Sequence, residues 1–261
     1  MEILLKNRYL VDFMATVMFF TRIPVNWTYF SDEAPNLTRA AWAFPIIGYL
    51  IGLCAGIIGD ICLLVGLPNF LSCLIAIALS IMISGAFHED GLADIADGFG
   101  AGGSPERVNE IIHDSRLGTY GVVSLSIGLL IRVGLLVGLV ELGYSLTLVM
   151  AAGFASGKLA IILARKFFAP SELTKTGSIV GVISNKNFIF ATLIWLVPIT
   201  LAFPFFGIFL GISFVGIAIF LLGSRSNHYL GGLTGDVLGA IAFSSELLFL
   251  LGVLSVINGV N

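Results

Sequence analysis

Ala41-Trp-Ala-Phe-Pro-Ile-Ile-Gly-Tyr-Leu-Ile-Gly-Leu-Cys-Ala-Gly-Ile-Ile-Gly-Asp-Ile-Cys-Leu-Leu-Val-Gly66 is a 26-residue run holding one charge, Asp60. About 20 apolar residues in a helix cross the ~30 Å hydrocarbon core of a bilayer, and inside lipid only helices or closed barrels satisfy their own backbone. The run therefore reads as a transmembrane helix. Similar runs follow at Pro68–Phe87, Tyr120–Leu142, Ser145–Ala164, Phe188–Phe203, Phe205–Gly223 and Val237–Ile257, giving seven expected spans. The stretch Tyr9–Thr21 is shorter and carries Asp12, which fits an amphipathic, partly interfacial N-terminal helix. The expected fold is an all-α polytopic transmembrane bundle, drawn as one domain over residues 1–261, with a further short cytoplasmic helix described below.

Composition agrees. Of 261 residues, 57% are hydrophobic and 11% charged, against roughly a quarter charged in soluble domains. A net charge of -3 with no basic run excludes nucleic acid as a partner. Cys54, Cys62 and Cys73 lie in apolar stretches without metal-ligand spacing and read as buried thiols with no disulfide framework. The N-terminus has no small-residue cleavage site of a removable signal peptide.

Lysine and arginine collect on the cytoplasmic side of membrane proteins. Threading the chain with a cytoplasmic N-terminus puts Lys6, Arg8, Arg22, Arg39, Arg107, Arg116, Arg165, Lys166, Lys175, Lys186 and Arg225 on that side, and none in the opposite loops. Arg132 and Lys158 fall inside spans. The same threading places three long connections in the cytoplasm, His88–Thr119, Arg165–Asn187 and Ser224–Asp236, so the polar mass and the expected active site share one face.

The densest chemistry is His88-Glu-Asp-Gly-Leu-Ala-Asp-Ile-Ala-Asp-Gly98. If the second span continues as helix past Phe87, Asp90, Asp94 and Asp97 stand at i, i+4 and i+7 on one face, and Gly98 ends the helix. Stacked like charges at a helix C-terminus are disfavoured twice, by one another and by the dipole. No lysine or arginine in the segment offsets them, whereas a hard divalent cation such as Mg²⁺ would. The plainer alternative is a solvated acidic loop.

Ser104-Pro105-Glu106 starts a short cytoplasmic helix, with a cap residue followed by proline at the first helical position. Arg107, Glu110 and Asp114 share its polar face, and Arg107 and Arg116 are candidates to grip phosphate, with Asp114 adding a carboxylate. In Gly231-Gly-Leu-Thr-Gly-Asp236, Asp236 stands where the last span begins. Charges at membrane depth mark paired or functional groups, and matching depth suggests a buried Lys158–Glu246 pair lining a cytoplasmic cleft. His88, His113 and His228 are each open to a proton-transfer role. Gly98–Gly103 lacks the strand–turn–helix setting of a dinucleotide fold, and Gly153–Lys158 is one residue short of a P-loop.

Phe20-Thr-Arg-Ile-Pro24, His88-Glu-Asp-Gly-Leu-Ala-Asp-Ile-Ala-Asp-Gly-Phe99, Asp114-Ser-Arg-Leu-Gly-Thr-Tyr-Gly121 and Gly232-Leu-Thr-Gly-Asp-Val-Leu-Gly-Ala240 occur in that order, with Glu246 following. Together they closely resemble the cobalamin synthases, the adenosylcobinamide-GDP ribazoletransferases of prokaryotic membranes. The match is looser at Ser156-Gly-Lys158, where the family usually reads Ser-Arg, and over Pro170–Val180. The resemblance implies a Mg²⁺-dependent transfer of the cobinamide phosphate of adenosylcobinamide-GDP to a ribose hydroxyl of α-ribazole or its 5′-phosphate, with release of GMP. It implies metal binding by Glu89, Asp90, Asp94, Asp97 and Asp236, and catalytic roles for His88, Asp94, Asp97 and Lys158. Substrate contacts would fall to Arg22, Arg107, Asp114, Arg116, Thr234 and Glu246. Expected surroundings are the prokaryotic cytoplasmic (inner) membrane, with a homo-oligomer or a complex with other corrinoid-assembly enzymes left open. A CDP-alcohol phosphotransferase of phospholipid synthesis is the nearer alternative, but its pattern wants Ala-Arg where this chain has Asp94-Ile95. A secondary transporter is the further one, though no inverted repeat is visible.

Overall fold

A computed structural model describes residues 7–172 and 180–258. Lys6, Lys175 and the middle of the expected Arg165–Asn187 connection lie outside the described residues. The helices are α1 (Arg8–Phe20), α2 (Leu37–Ala40), α3 (Phe44–Leu64), α4 (Asn69–Ser84), α5 (Phe87–Ala101), α6 (Pro105–Ile112), α7 (Thr119–Glu141), α8 (Leu146–Phe167), α9 (Asn185–Ala202), α10 (Phe205–Leu230) and α11 (Gly235–Asn258). Among the described residues no strand forms, only an isolated bridge between Pro170 and Leu233. Among the described residues six helices are long and apolar enough to cross a membrane: α2–α3 taken together, α7, α8, α9, α10 and α11.

The expected seventh span differs from the straight helix drawn from the sequence. It is the pair α4 and α5, bent by 88°. Gly85 (φ 72°) and Ala86 (φ 58°) both adopt the left-handed region, so α4 stops at a glycine cap, the usual helix terminator. The Ile83 carbonyl freed there accepts the Arg22 backbone N–H at 2.7 Å. α4 supplies the crossing half, and α5 turns off it into the polar end of the bundle. The carboxylates therefore ride the first and middle turns of a new helix, not the end of a transmembrane rod. Glu89 and Asp90 meet the favourable end of the α5 dipole, the reverse of the sequence expectation.

α8 is the central rod, packed against α3, α7, α9 and α11. Gly48, Gly52 and Gly56 at four-residue spacing let α3 lie against it: a Cβ on any of them would come within 3 Å of the α8 backbone at Ala155, Ala151 or Thr147. Small residues at such spacing drive close helix packing in lipid. At the far end Asp60 caps α8, accepting from the backbone N–H of Leu146 (2.8 Å) and Thr147 (3.0 Å) and from the Thr147 hydroxyl. α1 buries Val11, Ala15 and Phe20 as an amphipathic helix should, but it also buries Asp12, which Arg39 Nε holds at 2.6 Å. The segment after α8 is tied to the glycine-rich turn before α11 by Leu233 N–H to Ala169 O (2.9 Å) and Ser171 N–H to Leu233 O (3.0 Å).

Candidate active site

Three elements meet at the polar end of the bundle. α5 crosses α11 at Gly91, where a Cβ would lie 2.6 Å from the Asp236 carbonyl oxygen. That close approach brings Asp90 and Asp94 to the side of α11 that carries Asp236. Asp90 is exposed, and Asp94 and Asp236 are half-buried. Burial pushes the Asp94 carboxyl up to about 7, reinforced by the charges of Asp90, Asp236 and Asp97 and partly offset by His113. Among the described residues no three His, Cys, Asp or Glu side chains stand close enough to hold a metal ion by themselves. Mg²⁺ does not require that, since it commonly keeps several waters and takes one or two carboxylates plus substrate phosphate. An all-oxygen donor set with an uncompensated negative potential at Asp94 fits such an ion.

Two of the five expected metal ligands have other partners. Both Asp97 oxygens are taken by backbone N–H groups at the start of α7, Gly118 at 2.7 Å and Gly121 at 2.8 Å. Asp97 is thus the N-terminal cap of α7, a helix whose own cap position is Gly118 and supplies no side-chain bond. Glu89 is turned inward, its Oε1 2.8 Å from Arg132 Nη1.

Beneath the aspartates lies a buried charged layer drawn from four helices. Arg132 of α7 is 1% exposed and bridges Glu89 of α5 and Glu246 of α11, the second at 2.7 Å. Its guanidinium stacks over Phe243, 4.5 Å from the ring centroid. The expected Lys158–Glu246 pair is therefore replaced by Arg132–Glu246. Lys158 of α8 instead faces His88, Nζ to Nδ1 at 3.1 Å, over the Phe20 ring. The reason is reach: α5 tucks under the bundle after the break and delivers Glu89 and His88 between the two basic side chains. His88 Nε2 is buried and has no hydrogen-bond partner among the described residues. His88, Glu89, Arg132, Lys158 and Glu246 are all buried.

The expected phosphate-gripping residues are more dispersed. The Arg22 side chain covers Gly85 at the break and is exposed. Ser104 caps α6 as expected, and Arg107 is exposed and pairs with Glu110 at 2.6 Å. Arg116 chelates Asp114, Nη2 to Oδ2 at 2.7 Å, which holds that carboxyl down at about 2. Asp114, Arg116, Tyr120 and Asp97 border an open cleft of about 440 Å³ between α6 and the start of α7. Thr234 is fully buried, and its hydroxyl accepts the Val237 N–H at 3.4 Å at the start of α11. His228 stacks edge-on against Tyr229 and stays outside the cluster. The roles of Arg132 and Asp97 were the main features missed. The signal for Arg132 was its charge at membrane depth, and nothing in the sequence names its partners.

The family described as cobalamin-5-phosphate synthase matches residues 12–254 of this chain. An adenosylcobinamide-GDP ribazoletransferase of Azorhizobium caulinodans is 37% identical over 257 residues, covering 95% of this chain and 97% of the relative. One from Clostridium botulinum (strain Langeland) is 37% identical over 252 residues, covering 92% and 96%. One from Bradyrhizobium diazoefficiens is 31% identical over 242 residues, covering 93% and 92%. No solved structure matches the chain. A polytopic helical bundle matched along nearly its whole length, this chain belongs to the cobalamin-5-phosphate synthase family.

Proposed function

We propose that this chain is an adenosylcobinamide-GDP ribazoletransferase, closing the nucleotide loop of cobalamin. A ribose hydroxyl of α-ribazole or its 5′-phosphate attacks the cobinamide-linked phosphorus of adenosylcobinamide-GDP. The bond from that phosphorus to the bridging oxygen breaks, GMP leaves with the oxygen, and the hydroxyl proton passes to a base. The observation that carries the site-level reading is the Asp90–Asp94–Asp236 face, half-open to solvent where α5 crosses α11. One or two of those carboxylates, with water and the substrate phosphate, would hold Mg²⁺, which when bound supplies charge neutralisation to the diphosphate.

The chain's own residues do the rest. Asp97 fixes the start of α7 and so the wall of the 440 Å³ cleft, where Arg116 is placed to meet a phosphate. A Lys158 ammonium donates to His88 Nδ1, which leaves the imidazole proton on Nε2. His88 Nε2 is buried beneath the aspartate face, so the ribose proton is assigned to a carboxylate of that face. The Glu89–Arg132–Glu246 layer holds α5 in register beneath that face. The bundle would sit in the prokaryotic cytoplasmic (inner) membrane with its N-terminus and polar end toward the cytoplasm, in line with the lysines and arginines gathered there. Purified protein incubated with adenosylcobinamide-GDP and α-ribazole is expected to release GMP in step with a cobalamin product. Corrinoid uptake into vesicles without GMP release would instead favour a transporter.

A further inference from the structure

At the opposite end of α1 from the aspartates, the edge of the bundle holds a cavity of about 720 Å³ between α1, the 36–42 turn and the start of α9. Phe20 ends α1 against His88, and Arg8 begins it at this cavity, twelve residues away, so the two sites are about 18 Å apart along the helix. The rim is basic, with Arg8, Arg39 and Lys186. Asp12 is the sole carboxylate lining it among the described residues, and Arg39 already holds that group at 2.6 Å. Among the described residues no ion pair engages Arg8 or Lys186. The N-terminus of α9, 18 residues long and capped by the Ser184 side chain, also borders the cavity and adds its dipole to the same rim.

Asn187 builds the wall, donating from Nδ2 to the carbonyls of Thr38 (3.3 Å) and Arg39 (2.9 Å). Further along α9 the lining turns apolar, with Phe190 and Ile194 roughly 7–14 Å beyond Asn185 at 1.5 Å per residue. Tyr9 and Trp42, ring centroids 5.8 Å apart, also line the cavity, and such aromatic side chains favour the membrane interface. The outer side of α9 is lipid-facing: Ile189, Phe190, Leu193, Val197 and Leu201 are 51–85% exposed.

We infer that this cavity is a binding site for an anionic glycerophospholipid. Its phosphodiester is met by Arg8, Lys186 and the start of α9, and its acyl chains run along Phe190 and Ile194. A basic pocket between transmembrane helices at headgroup depth recognises anionic lipid in this way. A soluble phosphate compound would match the rim but leave the apolar half, which opens toward the bilayer, uncovered.

The test uses the full-length protein in neutral detergent, with phosphatidylglycerol, phosphatidylcholine or GMP added and bound ligand counted by native mass spectrometry. Phosphatidylglycerol is expected to be retained over phosphatidylcholine. Each basic side chain near the surface is worth roughly fivefold in affinity, so Arg8→Ala with Lys186→Ala should weaken retention about 25-fold. The charge-preserving pair Arg8→Lys with Lys186→Arg should restore it, and Arg225→Ala, an exposed arginine at the same end but outside the cavity, should change it less than about twofold. Both rim residues are exposed, so these variants are expected to fold as the parent does. Equal retention by the Arg8→Ala/Lys186→Ala protein would overturn the inference. So would displacement of phosphatidylglycerol by GMP, which would make the cavity a nucleotide site.

Discussion

Arg132 is 1% exposed, and its two hydrogen bonds go to glutamates 43 and 114 residues away in sequence. Removing one member of such a group strands the others, and uncompensated buried charges cost about 3–5 kcal/mol. Arg132→Met is therefore expected to lower stability by that amount, read as a fall in the unfolding temperature in detergent. Combining it with Glu89→Gln and Glu246→Gln should recover much of the loss, because the stranded charges are gone; an equal or larger loss in the triple variant would contradict the pairing. At this scale the sequence was informative about which residues matter. Arg132, Lys158 and Glu246 stood out as charges at membrane depth, but depth counting cannot rank partners that different helices bring together. It gave Glu246 to Lys158, where the geometry gives it to Arg132.

The elements were legible wherever apolar length decided the matter, and less so where a short turn did. Six crossings follow from long runs, and the α6 start follows from Ser104-Pro105. The break between α4 and α5 has a local signal in Ser84-Gly85-Ala86, since glycine suits the left-handed residue that ends a helix. An uninterrupted apolar pattern through Phe87 outweighed it in the sequence reading. Because the aspartates sit on a new helix, its dipole favours Glu89 and Asp90, while the repulsion around Asp94 remains. Asp97→Ala would leave the Gly118 and Gly121 N–H groups without their cap and should destabilise by about 0.5–2 kcal/mol, measured by denaturant unfolding in detergent. Gly52→Leu would force α3 off α8 and should cost at least about 1–3 kcal/mol by the same assay, with no loss expected if the two helices do not touch there.

Across the whole molecule, the aspartates of α5 and Asp236 meet at one end of the bundle, and Asp60 caps α8 at the other. The lysines and arginines predict that the aspartate end is cytoplasmic, because their placement follows membrane insertion and does not depend on how helices pack. A cysteine introduced at Glu106, with the native cysteines replaced, should react with an impermeant thiol reagent only after cells are opened, and one at Pro68 should react in intact cells. The reverse pattern would invert the orientation. The central claim is that Asp90, Asp94 and Asp236 form a face that needs a divalent cation to engage a diphosphate, and the most direct test is the Mg²⁺ dependence of GMP release by purified parent and Asp94→Asn proteins. Chelator should silence the parent, added Mg²⁺ should restore it, and Asp94→Asn should stay inactive at every Mg²⁺ concentration while remaining folded. Undiminished turnover in Asp94→Asn, or in the parent under chelator, would contradict the claim.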